Sequence, residues 1–367
     1  MDPALSTYLD IVRFSAALLV VHDHLPALSF GVGVHITFGH QAVMAFFVLS
    51  GFVIAASTWQ RPLGLQDYLI RRGARIYSVA LPILLLTFAI CALGKVYLPA
   101  AYENFYQYDK FYLYLVLHLF FLGEVWTLSE EPYALIPYWS LGYEVWYYIL
   151  FAFAVFYRGF KRFFWLVVVL LLVGYQLWLL WPVWLMGVAL HRYSHRWTLS
   201  KPVGRLGFWL TVFGFFAFKT SGLFDDLALA SQALWPFEGW PLARANAYLA
   251  DYVVGALVVA NIHCARCSQF EGLLVIQRPA AFLASYTFTL YLLHYPLIVN
   301  AEKWFALDAS QTQVAFGLLL LIFISTFLVG TLTEKRKRHF QTLFTWLFAR
   351  GQPLLRTIPV LNQWLRP

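Results

Sequence analysis

The run QAVMAFFVLSGFVIAAST, residues 41–58, holds 18 consecutive residues without a charged side chain. As a helix it would be about 27 Å long, close to the ~30 Å hydrocarbon core of a bilayer. Seven more predominantly apolar runs of similar length, and two shorter ones, lie at 8–28, 76–95, 139–157, 163–180, 246–263, 279–299 and 312–332, and at 182–191 and 206–219. The sequence therefore predicts about ten transmembrane helices.

The composition of the whole chain agrees with this prediction. Of the 367 residues, 61% are hydrophobic and only 12% are charged, and the mean hydropathy is +0.67. Soluble domains average roughly 45–50% apolar and 25% charged residues, so lipid is the expected solvent. A disordered chain, a coiled coil, a β-sandwich and, with three cysteines, a disulfide scaffold are excluded. We predict an all-α polytopic membrane protein.

The positive charges predict its orientation. With ten spans and a cytoplasmic N-terminus, 20 of the 26 Lys and Arg fall in inner segments and 3 in outer segments, as the positive-inside rule requires. The apolar stretch 111–122 is short for a crossing, and a crossing there would move most later basic residues outside. We therefore predict a re-entrant or interfacial segment near 111–122, with both chain termini cytoplasmic.

The same distribution bears on domains and partners. A membrane domain over 1–332 is followed by a basic cytoplasmic tail over 333–367. Because the basic side chains follow the inner loops and this tail, anionic lipid headgroups of the bilayer explain them, and no nucleic-acid partner is predicted. The sequence carries no signal for an oligomeric state.

Ionisable side chains inside apolar spans are costly and therefore candidates for function. In the first span, Arg13 and His24 are eleven residues apart, which places them within about 20° on one helical face. Asp10 shares this stripe and can form a local ion pair with Arg13, whereas His22 lies on the opposite face. The alternative is that Asp10 and Arg13 are interfacial and that both histidines face the outer water.

Two later spans hold further polar candidates. Glu144 lies one turn after Ser140 in an apolar helix and needs a histidine, an arginine or a hydroxyl as partner. Tyr291 and His294 share a face at i, i+3 spacing before Pro296. Packing between helices is the alternative role for this second pair.

A cluster of arginines precedes the third span. Arg71, Arg72 and Arg75 stand on one predicted helix start, where guanidinium groups can bind phosphate bidentately. An ordinary positive inner loop is the alternative. The stretch HCARC at 263–267 lacks the second pair of ligands that a zinc site needs, so no metal is predicted.

Several motifs, in order along residues 9–296, resemble those of acyltransferase family 3 membrane proteins. They are Arg13 followed by His24 after ten residues, FFVLSGF at 46–52, RRGARI at 71–76, WSLGYE at 139–144, and SY at 285–286 with YLLH at 291–294. The chain departs from the family pattern at Met44, where many members have an acidic residue, and at Ser78, where a proline is common. The first departure concerns any acidic role in the second helix, and the second alters local backbone.

The resemblance implies ten helices, an acyl-CoA donor on the cytoplasmic side, and O-acylation of hydroxyls, commonly on cell-envelope glycans. It also implies that His24 is catalytic and that Arg13 and the arginine cluster act in donor handling. The expected location is the inner (cytoplasmic) membrane, with multiple passes.

The combined hypothesis is transfer of a short acyl group, most simply acetyl from acetyl-CoA, to a sugar hydroxyl of a surface polysaccharide or lipid-linked glycan. His24 would be the general base, and Glu144 would orient its imidazole or stabilise the imidazolium. An acyl-His24 intermediate is a variant, with Asp10, Ser140, Tyr291 and His294 in supporting roles. The alternatives are a transporter or channel, because intramembrane Asp, Arg and His also mark ion pathways, and an acyltransferase that acts on a small molecule.

Overall fold

The structure is a computed structural model that describes residues 2–28, 37–60, 63–103 and 111–356. Within these ranges it contains fourteen α-helices, short 3₁₀ turns and no β-strand. In chain order the helices are α1 (Pro3–Asp23), α2 (Gly39–Trp59), α3 (Leu65–Tyr97), α4 (Phe111–Leu119), α5 (Tyr138–Phe156), α6 (Gly159–Val173), α7 (Tyr175–Tyr193), α8 (Lys201–Thr220), α9 (Leu223–Ala233), α10 (Tyr248–Ser268), α11 (Gln277–Ala284), α12 (Thr287–Phe305), α13 (Thr312–Leu332) and α14 (Lys337–Arg356). The predicted all-α class is confirmed.

Helix length and composition make this a multi-pass membrane protein. In the described part of the chain, six segments are long and apolar enough to cross a bilayer, namely α1, α2, α3, α5, α10 and Thr312–Arg350. Two interrupted helix pairs, Lys201–Thr220 with Leu223–Ala233 and Glu271–Ala284 with Thr287–Phe305, raise the number to eight if each pair is one span. The count of ten and the orientation of the termini stay predictions. Helix α4, in the predicted re-entrant or interfacial segment, has nine residues and is too short to cross.

The predicted division between the spans 163–180 and 182–191, at Trp181, was wrong. In the structure, α7 continues through Pro182, and the break between α6 and α7 is at Gly174. Gly174 has φ +81°, a conformation open to glycine, and a Cβ there would lie 2.8 Å from Trp126 atoms. Proline, in contrast, is tolerated inside membrane helices when neighbouring groups satisfy the freed carbonyl.

The chain forms two compact units. The first comprises 1–60, 125–129 and 174–287. Within it, α2 and α7 approach so closely that a Cβ on Gly51 would lie 2.1 Å from the Trp184 carbonyl oxygen, and one on Gly187 would lie 2.0 Å from the Val48 carbonyl oxygen. The Trp184 indole also donates to the Ser50 hydroxyl, at 3.2 Å. The glycine of the FFVLSGF motif therefore permits backbone-to-backbone packing of two helices.

The second unit comprises 61–124, 130–173 and 288–367. Its α14, in the segment predicted as a basic tail, packs against α3 rather than standing apart. The Phe344 ring lies 5.6 Å from the Tyr77 ring and covers Gly73, where a Cβ would be 3.4 Å from the Phe344 ring edge. The tail residues after 356 lie outside the described ranges.

Candidate functional site

The predicted ion pair in α1 forms within the first unit. The Arg13 guanidinium lies 3.2 Å from the Asp10 carboxylate, one helical turn away, and both side chains are about one-fifth exposed. The pair reduces the cost of holding either charge in an apolar helix. The roles of Arg13 in donor handling and of Asp10 in support stay predictions.

His24 stands immediately after the last residue of α1. Its backbone N–H bonds to the Val21 carbonyl at 3.1 Å, so the final turn is tightened, and the stripe predicted from a continuous helix ends at its cap. The His24 Nδ1 lies 2.8 Å from the Val20 carbonyl oxygen. A carbonyl only accepts, so the neutral imidazole carries its proton on Nδ1 and its lone pair on Nε2. In that tautomer Nε2 is the basic nitrogen of the ring.

Asp23, which the sequence did not single out from its neighbours, joins the end of α1 to the start of α2. Its carboxylate accepts from the backbone N–H groups of Phe38, at 3.1 Å, and Gly39. A Cβ on Gly39 would lie 2.7 Å from the carboxylate, so glycine is needed for this approach. The His22 Nδ1 lies 3.6 Å from the same carboxylate. Asp23 therefore acts electrostatically on both histidines of this helix end, and the Nδ1 of His24 in addition contacts a backbone carbonyl.

A second histidine–carboxylate contact lies at the same end of this unit. The His40 Nε2, near the start of α2, is 2.8 Å from Asp251 Oδ1, near the start of α10; the Asp251 side chain is fully buried, and the His40 side chain is 30% exposed. Sequence reasoning missed this pair. An acidic residue inside the predicted span 246–263 was the signal that could have drawn attention to Asp251.

In the second unit, the structure brings two predicted residues together. The hydroxyls of Ser140 and Tyr291 are 2.7 Å apart and both side chains are buried. His294 is also buried, and its Nδ1 lies 3.1 Å from the Leu290 carbonyl of its own helix. These groups link α5 to α12 through a buried hydroxyl pair.

Glu144 has a hydroxyl and an arginine as neighbours in the same unit. Its carboxylate accepts a hydrogen bond from the Tyr148 hydroxyl, and it is close enough to Arg72 for electrostatic attraction. The Arg72 guanidinium also lies 5.7 Å from the centre of the Tyr68 ring. A partner of the predicted type is thus present, and the orientation of His24 by Glu144 stays a prediction.

The three predicted phosphate-binding arginines are not equivalent. Arg71 and Arg75 are exposed, whereas Arg72 is only partly exposed and packs with Tyr68. All three lie inside α3, which begins at Leu65, and not on a loop. The exposed guanidiniums of Arg71 and Arg75 are accessible to a ligand, and Arg75 also attracts the Glu334 carboxylate, whereas Arg72 packs on Tyr68.

The HCARC stretch forms a short helical contact at the end of α10. Cys267 Sγ lies 3.8 Å from His263 Nε2, one turn apart. Within the described ranges, no three His, Cys, Asp or Glu side chains converge as metal ligands would.

Comparison with known proteins identifies the family. A family model described as an acyltransferase domain, of the acyltransferase 3 type, matches residues 6–335, nearly the whole chain. No curated protein and no solved structure matches. The match covers both units and every motif that resembled the family in sequence. The protein therefore belongs to acyltransferase family 3 and is a multi-pass membrane acyltransferase.

Proposed function

We propose that the protein transfers a short acyl group, most simply acetyl, from cytoplasmic acyl-CoA to a sugar hydroxyl of a cell-surface polysaccharide or lipid-linked glycan. Family membership supports acyl transfer, and the observation that supports His24 as the base is its Nδ1 contact with the Val20 carbonyl. This contact fixes one tautomer and holds the ring, as the third member of a catalytic triad does for its base.

The proposed step is a proton transfer coupled to acyl transfer. His24 Nε2 takes the proton from the acceptor hydroxyl while the oxygen attacks the thioester carbonyl carbon. The carbon–sulfur bond then breaks, and the departing coenzyme A thiolate takes the proton from the imidazolium. The products are an ester and coenzyme A, and the imidazole returns to its neutral state.

In this proposal the donor is bound through its phosphates by the arginines of α3. Arg71 and Arg75 are exposed and can pair bidentately with phosphate oxygens. Arg72, packed on Tyr68 and attracted by Glu144, holds the local arrangement. The 20 to 3 distribution of basic residues supports a cytoplasmic position for this helix start and the inner membrane as the location.

The test compares the two histidines beside Asp23. Purified protein in nanodiscs, acetyl-CoA and a glycan acceptor should release coenzyme A, measured with a thiol reagent against a protein-free control. His24→Ala should lower the rate by about 10² to 10⁴-fold, the usual contribution of a general base, while His22→Ala keeps most activity.

Both variants should elute and melt like the unchanged protein, which excludes loss of fold as the cause. Full activity in His24→Ala would remove the proposed base. Absence of coenzyme A release with every acceptor class tested, combined with substrate flux in sealed vesicles, would favour a transporter instead.

A further inference from the structure

A basic cavity lies wholly within the first unit, at the end opposite His24. It opens where α2, α7 and α10 end and α1 begins, and its volume is about 410 Å³. Its charged, imidazole and indole side chains are those of Asp2, Trp59, His191, Arg192, His195 and Arg266. This volume falls within the ~300–1,000 Å³ range of small-molecule sites.

The charge of this cavity is not balanced by the protein around it. Among the described residues, no Asp or Glu forms an ion pair with Arg192 or Arg266. The single lining carboxylate, Asp2, caps the start of α1 by accepting from the Ala4 backbone N–H at 3.3 Å. Two permanent positive charges therefore face a concave space with one carboxylate at its edge.

The basic side chains are held by neighbouring groups. Arg266 donates to the Ser194 hydroxyl, and the Arg192 guanidinium lies 5.7 Å from the centre of the Trp59 ring. The His191 ring stacks on Trp59, with ring centres 5.7 Å apart and an interplanar angle of 23°. Positioned guanidiniums are suited to the oxygens of a phosphate group, because they can donate two hydrogen bonds in a fixed plane.

Stabilisation of helix ends accounts for part of this pattern. His191, Arg192 and Arg266 lie in the last turns of α7 and α10, where basic residues favour the negative end of the helix dipole. Interaction with the helix dipole alone would not require the basic residues of two helices to line one cavity, or an aromatic ring to lie beside them. Here the basic groups of two helices face one space beside Trp59 of a third, as basic pockets for lipid headgroups between membrane helices do.

We propose that this cavity binds the phosphate group of a phosphate ester, with Arg192 and Arg266 on the phosphate oxygens and Trp59 beside the rest of the molecule. The ester is either an anionic phospholipid headgroup or a soluble nucleotide, which present the same group to the arginines. The proposal does not rest on the proposed acyl-transfer reaction, because none of its residues takes part in that step.

The experiment has two arms that separate the sources. In the first, adenosine 3′,5′-bisphosphate is titrated by calorimetry into protein in phosphatidylcholine nanodiscs. In the second, native mass spectrometry compares retention of phosphatidylglycerol with that of phosphatidylcholine. The test variant is Arg192→Gln with Arg266→Gln. The matched control is Arg196→Gln with Arg205→Gln, which removes the same charge from exposed residues that do not line the cavity.

In the arm that reports binding, the test variant should lose at least about tenfold in affinity, and the control should stay within about twofold. A variant with both arginines changed to Lys keeps the charge without the paired donors and should fall between them, which guards against a folding defect. Nucleotide binding that the test variant loses and the control keeps identifies a soluble ester in this cavity, as distinct from binding at Arg71 and Arg75, and phosphatidylglycerol retention with the same pattern identifies a lipid. No binding in either arm, or equal loss in test and control variants, would overturn the proposal.

Discussion

Substitution of one glycine tests the close packing of α2 on α7. In Gly51→Ala, the new Cβ would lie 2.1 Å from the Trp184 carbonyl oxygen and 3.2 Å from the Val188 backbone nitrogen. Ordinary contacts begin near 3.5 Å, so the two backbones must separate locally by more than about 1 Å. A small shift of α7 does not relieve the clash, because Gly187 makes the reciprocal contact with Val48.

Overpacking of this kind costs about 1–3 kcal/mol, occasionally more. The apparent Tm, followed by fluorescence during heating in detergent, should fall by roughly 2–8 °C. Gly317→Ala is the matched control, because Gly317 lies inside α13 and a Cβ there meets no atom within 4 Å. Its Tm should stay equal or rise slightly, since Ala is the better helix former. If Gly51→Ala melted like Gly317→Ala, the reasoning about helix contact would be refuted.

Three further predictions concern topology, donor binding and the contact of His40 with Asp251. With the native cysteines replaced, Glu238→Cys should react with an impermeant thiol reagent from outside and Thr198→Cys should not, and the reverse pattern would invert the predicted orientation. In a folded variant with Arg71→Gln, Arg72→Gln and Arg75→Gln, the KM for acyl-CoA should rise about tenfold or more and the KM for the acceptor should change little. An unchanged KM for acyl-CoA would mean that these arginines only determine the membrane orientation of the segment. Asp251→Asn should lower the free energy of unfolding by about 1–1.5 kcal/mol, the difference between a charge-assisted and a neutral hydrogen bond to His40; a melting curve equal to that of the unchanged protein would contradict this.

Sequence reasoning succeeded where the signal is local in the chain. An apolar run of bilayer length predicts a helix from its own residues, and the 3.6-residue period was enough to predict the contact of Asp10 with Arg13. The family was also accessible, because its motifs are short strings in a fixed order. The family match over 6–335 confirmed that resemblance.

Contacts between distant segments could not be obtained in this way. Ser140 and Tyr291 were both selected, yet nothing in the period of either helix indicates that their hydroxyls meet at 2.7 Å. His40 and Asp251 are 211 positions apart, and their pairing depends on how α2 and α10 pack. The break at Gly174 was missed for a related reason: the glycine lacks the Cβ that would clash with Trp126, a residue 48 positions earlier in the chain.

The packing of α14 on α3 determines where the protein can be truncated for expression. Hydropathy places a natural cut after 332, where the last apolar run ends, and the remaining basic segment has the composition of a dispensable extension. Removal of that segment would remove the Phe344 ring that covers Gly73 and contacts the Tyr77 ring. Apolar surface of α3, the helix of the arginine cluster, would then be exposed. A shortened protein of this kind should be prone to self-association, so the sensible cut lies beyond residue 350.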